Sequence, residues 1–127
     1  MRALFDSSVV IAHLRGDGRA TERLLAVSTG ERLASALTRV EVEGGMRSGE
    51  RADVAALFAA MTLLPVTDAA ARRASALMRR YRRSHSGIDL VDYVIAATAE
   101  LHNAHLMTLN VRRFPMLGDL RPAREGG

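Results

Sequence analysis

Asp6, Glu41, Asp92 and Asn110 are the residues of this chain whose types and placing could do chemistry. Each follows a short apolar run or lies near the start of one that reads as helix. Carboxylates brought together repel one another and resist ionising unless a cation sits between them. A hard divalent cation, Mg2+ or Mn2+, resolves that conflict, because it accepts carboxylates, an amide carbonyl and several waters. Asp92 makes the case best. On a helical wheel centred on it, Ala96 and Ala99 fall within about 40° of it, and Ile88 and Ile95 about 40–60° away. That face should pack, and an unpaired charge there is costly to bury.

Every one of these acids has a plainer role available. Asp89 suits the N-cap of a helix starting at Leu90, and Asp92 would then favour that helix's dipole. On the same wheel Asp89, Tyr93 and Glu100 share a more polar edge. Asp6 ends a strand where a helix begins, so it too could be a cap. Thr38-Arg39-Val40-Glu41 has the spacing of a capping box. Glu43, two residues on, is expected in solvent. The set favours a metal pocket over a coincidence of caps.

Elements that could bring the set together follow from the apolar pattern. Residues 2–5 read as a buried strand and 9–14 as a short helix, with Gly16-Asp17-Gly18 as a break. A helix is expected over 20–27, a strand over 33–37, and helices over 39–46 and 52–61. Residues 63–66 read as a third strand. Thr67-Asp68 caps an amphipathic helix to about Arg83, 84–87 is a loop, and a helix over 90–102 leads into a strand over 104–109. The tail should add a short strand near Met116-Leu117 and be flexible from about residue 122. Strands alternating with helices imply one domain, an α/β chain whose mainly parallel central sheet is covered on both faces. In such sheets, sites form at the carboxyl ends of the strands where strand order reverses.

Composition narrows the class. The chain has 127 residues, enough for a real core, and 48% of them are hydrophobic. No run of apolar residues is long enough for a membrane span, and the polar residues in MRALFDSSVVIAHLR argue against a signal peptide. The absence of Cys excludes disulfides and thiolate metal sites and fits a cytoplasmic protein. All 18 basic residues are Arg, and the formal charge is +4. The preference for Arg over Lys reads as genome bias, whereas the positive sign points weakly to a polyanionic partner. Arg15, Arg112 and Arg113, just past the elements at the site edge, are candidates for phosphate contacts. Arg79, Arg80, Arg82 and Arg83 read as a solvated face at a helix end, adding long-range attraction.

Other chemistries find no support. His102 and His105 straddle a helix end and do not suit a zinc pair. Neither a Ser-His-Asp arrangement nor a glycine-rich phosphate loop is suggested. At 4% aromatic residues, a base-stacking platform is not expected. Met46, Met61 and Met78 read as core or interface filler.

A resemblance gathers these residues. The strand ending in Asp6-Ser7-Ser8, Thr38-x-x-Glu41 with Gly45 beyond, Asp92-Tyr93-Val94-Ile95-Ala96-Ala97-Thr98-Ala99, and Thr108-Leu109-Asn110 with Phe114 behind it resemble the PIN-domain nucleases. More narrowly, the chain is similar to the small VapC-type toxins of bacterial toxin–antitoxin pairs. The resemblance implies a three-layer α/β/α sandwich and a Mg2+- or Mn2+-dependent endoribonuclease. It also implies a homodimer, inhibited by a VapB-type antitoxin, with a structured RNA such as tRNA as substrate. Asp6, Glu41 and Asp92 match the family's acidic positions, and Ser8 and Thr108 its hydroxyl positions near the metal; Asp89 is not carried over from the family and is a candidate only as a further neighbour of the site. Asn110 stands where a fourth acid is common, so three charges rather than four are expected, with weaker hold on a second ion. A rival reading is a PIN-like module that binds RNA or protein without cutting. A phosphotransfer domain is remote, because Ser8 stands where a second Asp would be needed and the chain has no Lys.

Overall fold

Ala3, Leu4 and Phe5 form β1 (Ala3–Phe5), and all three are fully buried. Such a strand has no solvent face, so helices must cover both sides of it. Alternation does the sorting. Ala3 and Phe5 pack in one apolar cluster with Val9, Val10, Leu24, Val42 and Phe58, whereas Leu4 packs in a second with Leu77, Ile95, Phe114 and Met116. The computed structural model describes residues 1–116.

The other strands are β2 (Arg32–Ser35), β3 (Thr62–Leu64) and β4 (His105–Met107). They form a parallel sheet in the order β3-β2-β1-β4, with Leu4 opposite both Leu33 and Leu106. The first face is covered by α1 (Ser7–Leu14), α2 (Gly18–Leu25), α3 (Ala36–Gly44) and α4 (Arg51–Ala59). The second carries α5 (Asp68–Tyr81) and α6 (Leu90–Leu101). This is the three-layer α/β/α arrangement that the strand–helix alternation implies. Strand order runs outward from β1 to β3 and then returns to β1's other side for β4. The reversal therefore lies between the carboxyl ends of β1 and β4.

Two helix ends steer the chain toward that reversal. After α6, Asn103 takes φ 52, its N–H donates to the Glu100 carbonyl, and Ala104 N–H reaches back to the Ala99 carbonyl at 2.9 Å. This left-handed close uses up the helix's last carbonyls and sends the chain straight into β4. Gly16, at φ 89, ends α1 in the same way, with Asp17 N–H on the Ala12 carbonyl. The Asp17 side chain then caps α2 through Arg19 and Ala20.

Several boundaries differ from the sequence reading. β2 stops at Ser35, whose hydroxyl accepts from Leu37 N–H and caps α3. Thr38 is thus already inside α3, and Glu41 is not part of a capping box. Gly18 opens α2 rather than breaking the chain, because Asp17 supplies the cap. Tyr93 and Glu100 do not lie on a solvated edge. α5 packs along that side of α6, burying Tyr93, while Arg73 on α5 meets Glu100 at 2.6 Å. Met116 is fully buried and belongs to no strand, whereas Leu117 and the tail from about residue 122 lie outside the described residues. Among the described residues no helix is long and apolar enough to cross a membrane.

Candidate active site

At the carboxyl end of β1, Asp6 N–H still bonds to the Met107 carbonyl of β4, at 3.0 Å. Its side chain caps α1: Oδ1 accepts from Ser8 N–H at 3.0 Å and Val9 N–H at 3.4 Å. Asp6 is therefore the N-cap of α1, the plainer of the two readings open from sequence, and its carboxylate lies at the sheet edge where a site is expected. The Ser8 hydroxyl also donates to Asp6 Oδ1 at 2.5 Å, and Thr108 Oγ1 donates to Asp6 Oδ2 at 2.6 Å. Leu109 N–H donates to Ser8 Oγ and Asn110 N–H to Thr108 Oγ1, both at 2.9 Å. Asp6 is thus a nearly buried carboxylate whose oxygens are aimed by hydroxyls that are themselves fixed by the turn after β4.

Asp92 stands in the first turn of α6 and is 9% exposed. Its Oδ2 accepts from the N–H of Asp89, the residue before the helix, at 3.0 Å. Burial pushes its carboxyl above the ordinary value of 3.8. The Asp89 backbone N–H and the Arg113 guanidinium oppose the rise, and the charges of Asp89 and Asp6 add to it. The charge of Asp6, 86 residues away in sequence (92 − 6), thus acts on Asp92 as the smallest of these causes. The neighbouring Tyr93 phenol is also pushed up, chiefly by burial and then by Asp92, and its hydroxyl has no hydrogen-bond partner among the described residues.

The remaining site residues divide. Asn110 is exposed just before the short turn Val111–Arg113, where its carbonyl accepts from Arg113 N–H. Glu41, in α3, is exposed and makes no side-chain hydrogen bond or ion pair among the described residues. No group of three Asp, Glu, His or Cys side chains that could hold a metal ion occurs among the described residues. The expected crowding of three acids is therefore not seen. Asp6 and Asp92 are both buried, while α3 leaves Glu41 in solvent.

Of the arginines expected on phosphate, Arg15 is engaged elsewhere, 2.6 Å from Glu50, which also accepts from Arg47 N–H. Arg112 is exposed. Arg113 lies 3.1 Å from Asp89 Oδ2 and 3.7 Å from Asp92 Oδ2. Nothing in the local sequence announces this last relationship, since 24 residues separate Arg113 from Asp89. His102 ends α6 and His105 lies in β4.

A family model described as the PIN domain matches residues 3–118. The chain belongs to the PIN domain family. Ribonuclease VapC10 of Mycobacterium tuberculosis is 48% identical to this PIN domain over 120 residues, 94% of this chain and 90% of that protein. Ribonuclease VapC19 of the same species is 46% identical over 121 residues, covering 94% and 97%. Among solved structures, a toxin–antitoxin complex from Klebsiella pneumoniae superposes with a TM-score of 0.77 at 27% identity, covering 89% of the PIN domain chain and 90% of its own. VapBC-1 from nontypeable Haemophilus influenzae gives 0.76 at 20% identity, covering 94% and 95%, a likeness of fold.

Proposed function

We infer that this PIN domain is an endoribonuclease that acts as the toxin of a toxin–antitoxin pair and is neutralised by a VapB-type antitoxin. The observation that carries the inference is two buried carboxylates, Asp6 on its hydroxyl frame and Asp92 at the start of α6, in a chain nearly half identical to ribonucleases of the VapC type along 94% of its length. Two buried carboxylates with no full counter-charge between them are an unfavourable ground state. Oxygen donors of this kind fit Mg2+ or Mn2+, which commonly uses one or two carboxylates and keeps several waters. Asp6 and Asp92 would hold the ion. When bound it supplies Lewis-acid polarisation of the scissile phosphate and favours ionisation of water.

The chain's own groups do the rest. Ser8 and Thr108 keep both oxygens of Asp6 oriented, so that no side-chain search accompanies each turnover. Glu41 is the carboxylate available to hold the attacking water and take its proton. The water oxygen then bonds to phosphorus as the bond from phosphorus to the leaving ribose oxygen breaks, and that oxygen takes up a proton from solvent. Asn110 can orient the water through its amide without adding charge. Arg112, with Arg113, would meet the backbone phosphates, while the ion pair with Glu50 sets Arg15 aside from that role. A homodimer and a structured RNA substrate such as tRNA belong to the same reading.

Digestion of total RNA with Mn2+, with Mg2+ and with a chelator tests it. Cleavage with either ion that disappears on chelation and in Asp6→Asn is the expected result. Intact RNA at high protein concentration would instead favour the non-cutting binding module, to which the exposed position of Glu41 and the amide at Asn110 lend weight.

A further inference from the structure

Among the described residues, the guanidinium that lies against Asp92 is that of Arg113. Its Nη1 sits between two carboxylates, 3.1 Å from Asp89 and 3.7 Å from Asp92. The backbone beneath it is fixed: Arg113 N–H bonds to the Asn110 carbonyl at 2.9 Å, Phe114 N–H bonds to that of Val111, and the Phe114 ring is buried in the core. The head is not fixed in the same way. Side-chain exposure is 48% for Arg113 and 69% for Asp89, against 13% for Asp92. A cation can thus lean over a buried acid or withdraw from it while remaining on an exposed one.

We propose that Arg113, tethered by Asp89, is a built-in counter-cation that competes with the divalent ion for Asp92 and so sets the ion concentration at which the site fills. The proposal rests on the reading that Asp6 and Asp92 hold that ion. Without metal, the guanidinium offsets part of the repulsion between the buried carboxylates. A doubly charged ion arriving at Asp92 repels the guanidinium, and the tether lets it swing outward onto Asp89. There it faces an incoming phosphodiester, so the same displacement that admits the ion readies an anion contact. Asp89 is then a positioning residue as well as a member, with Asp92, of the capping box that opens α6.

Mn2+ binding by the full chain, measured by electron paramagnetic resonance of the free ion, tests this without any cleavage assay. Removing a unit positive charge a few ångströms from the ion should tighten binding about threefold or more in Arg113→Gln, even after solvent screening. Arg113→Ala should do the same, guarding against a fault peculiar to one variant, with circular dichroism verifying the fold. Arg19→Gln makes the same change in net charge on the exposed surface of α2 and should leave affinity near the wild-type value. Equal affinity in wild type and both Arg113 variants overturns the proposal, as does an equal gain in Arg19→Gln, which would show a net-charge effect. If the wild type binds no Mn2+, the metal-site reading itself fails and the proposal falls with it. Binding by wild type but not by Asp92→Asn keeps that reading whatever Arg113 does.

Discussion

Thr108 donates its hydroxyl to Asp6 at 2.6 Å across 102 positions of sequence. The bond joins the ends of β1 and β4, the two strands between which the sheet reverses its order. It therefore reports whether that edge is assembled, as well as aiming an oxygen of Asp6.

Thr108→Val keeps the shape and removes the donor. Loss of a hydrogen bond to a buried charge should cost about 1.5–3 kcal/mol, and Asn110 N–H loses its acceptor at the same time. Chemical denaturation should show that loss. RNA cleavage should fall along with it, because Asp6 is no longer held from both sides.

Asp6→Asn separates cap from catalysis. The amide oxygen can still accept from Ser8 and Val9 N–H, so α1 should survive, whereas Asp6→Ala should cost about 0.5–2 kcal/mol through the lost cap. Both should abolish metal-dependent cleavage. Comparing their unfolding midpoints shows whether the cap was retained.

Asp92 gives a pH signature in the metal-free protein. Its folded pKa is raised, so the folded state binds the proton more tightly than the unfolded state does. Its contribution to stability is most favourable below the ordinary value of 3.8 and declines as pH rises from there through the folded pKa. Asp92→Asn removes this penalty while keeping an acceptor for Asp89 N–H. The variant should melt a few degrees above the metal-free wild type at pH 7, and the difference should shrink toward pH 4. It should be inactive, and added Mg2+ should raise the melting temperature of the wild type alone. A thermal melt across pH with and without the ion reads all three.

Glu41→Gln tests the residue that the fold leaves outside. An exposed side chain with no partner should change stability by no more than about 0.5 kcal/mol. If Glu41 takes a proton from the attacking water, cleavage should fall by about 10²-fold or more. Unchanged cleavage would remove Glu41 from the mechanism.

Local pattern was sufficient for much of this. The apolar runs marked all four strands, within a residue or two at their starts, and the long helices before and after residues 84–87. Thr67 was legible as a cap because its side chain acts on a neighbour in sequence, Ala70 N–H. Asp92 was legible as a carboxylate forced inward because its helix is apolar on the flanking face. Sequence alone also places Asp6, Ser8, Thr108 and Asn110 at strand ends, and the family resemblance groups them.

The tertiary structure decided whatever depended on which neighbour a side chain meets across the fold. Glu100 and Tyr93 share an edge that a helical wheel leaves polar; only the packing of α5 on α6 turns it inward and gives Glu100 its Arg73. Ser35, not Thr38, caps α3, because the point where β2 ends is fixed by its pairing with β1 and β3. Arg15 and Arg113 looked alike in sequence, yet one is held by Glu50 and the other leans over Asp89 and Asp92. Sequence periodicity encodes which face of an element is apolar. It carries no term for the charge that another element, brought up by hydrophobic burial, places against a polar group, and that is what distinguishes a solvated acid from one buried in a site.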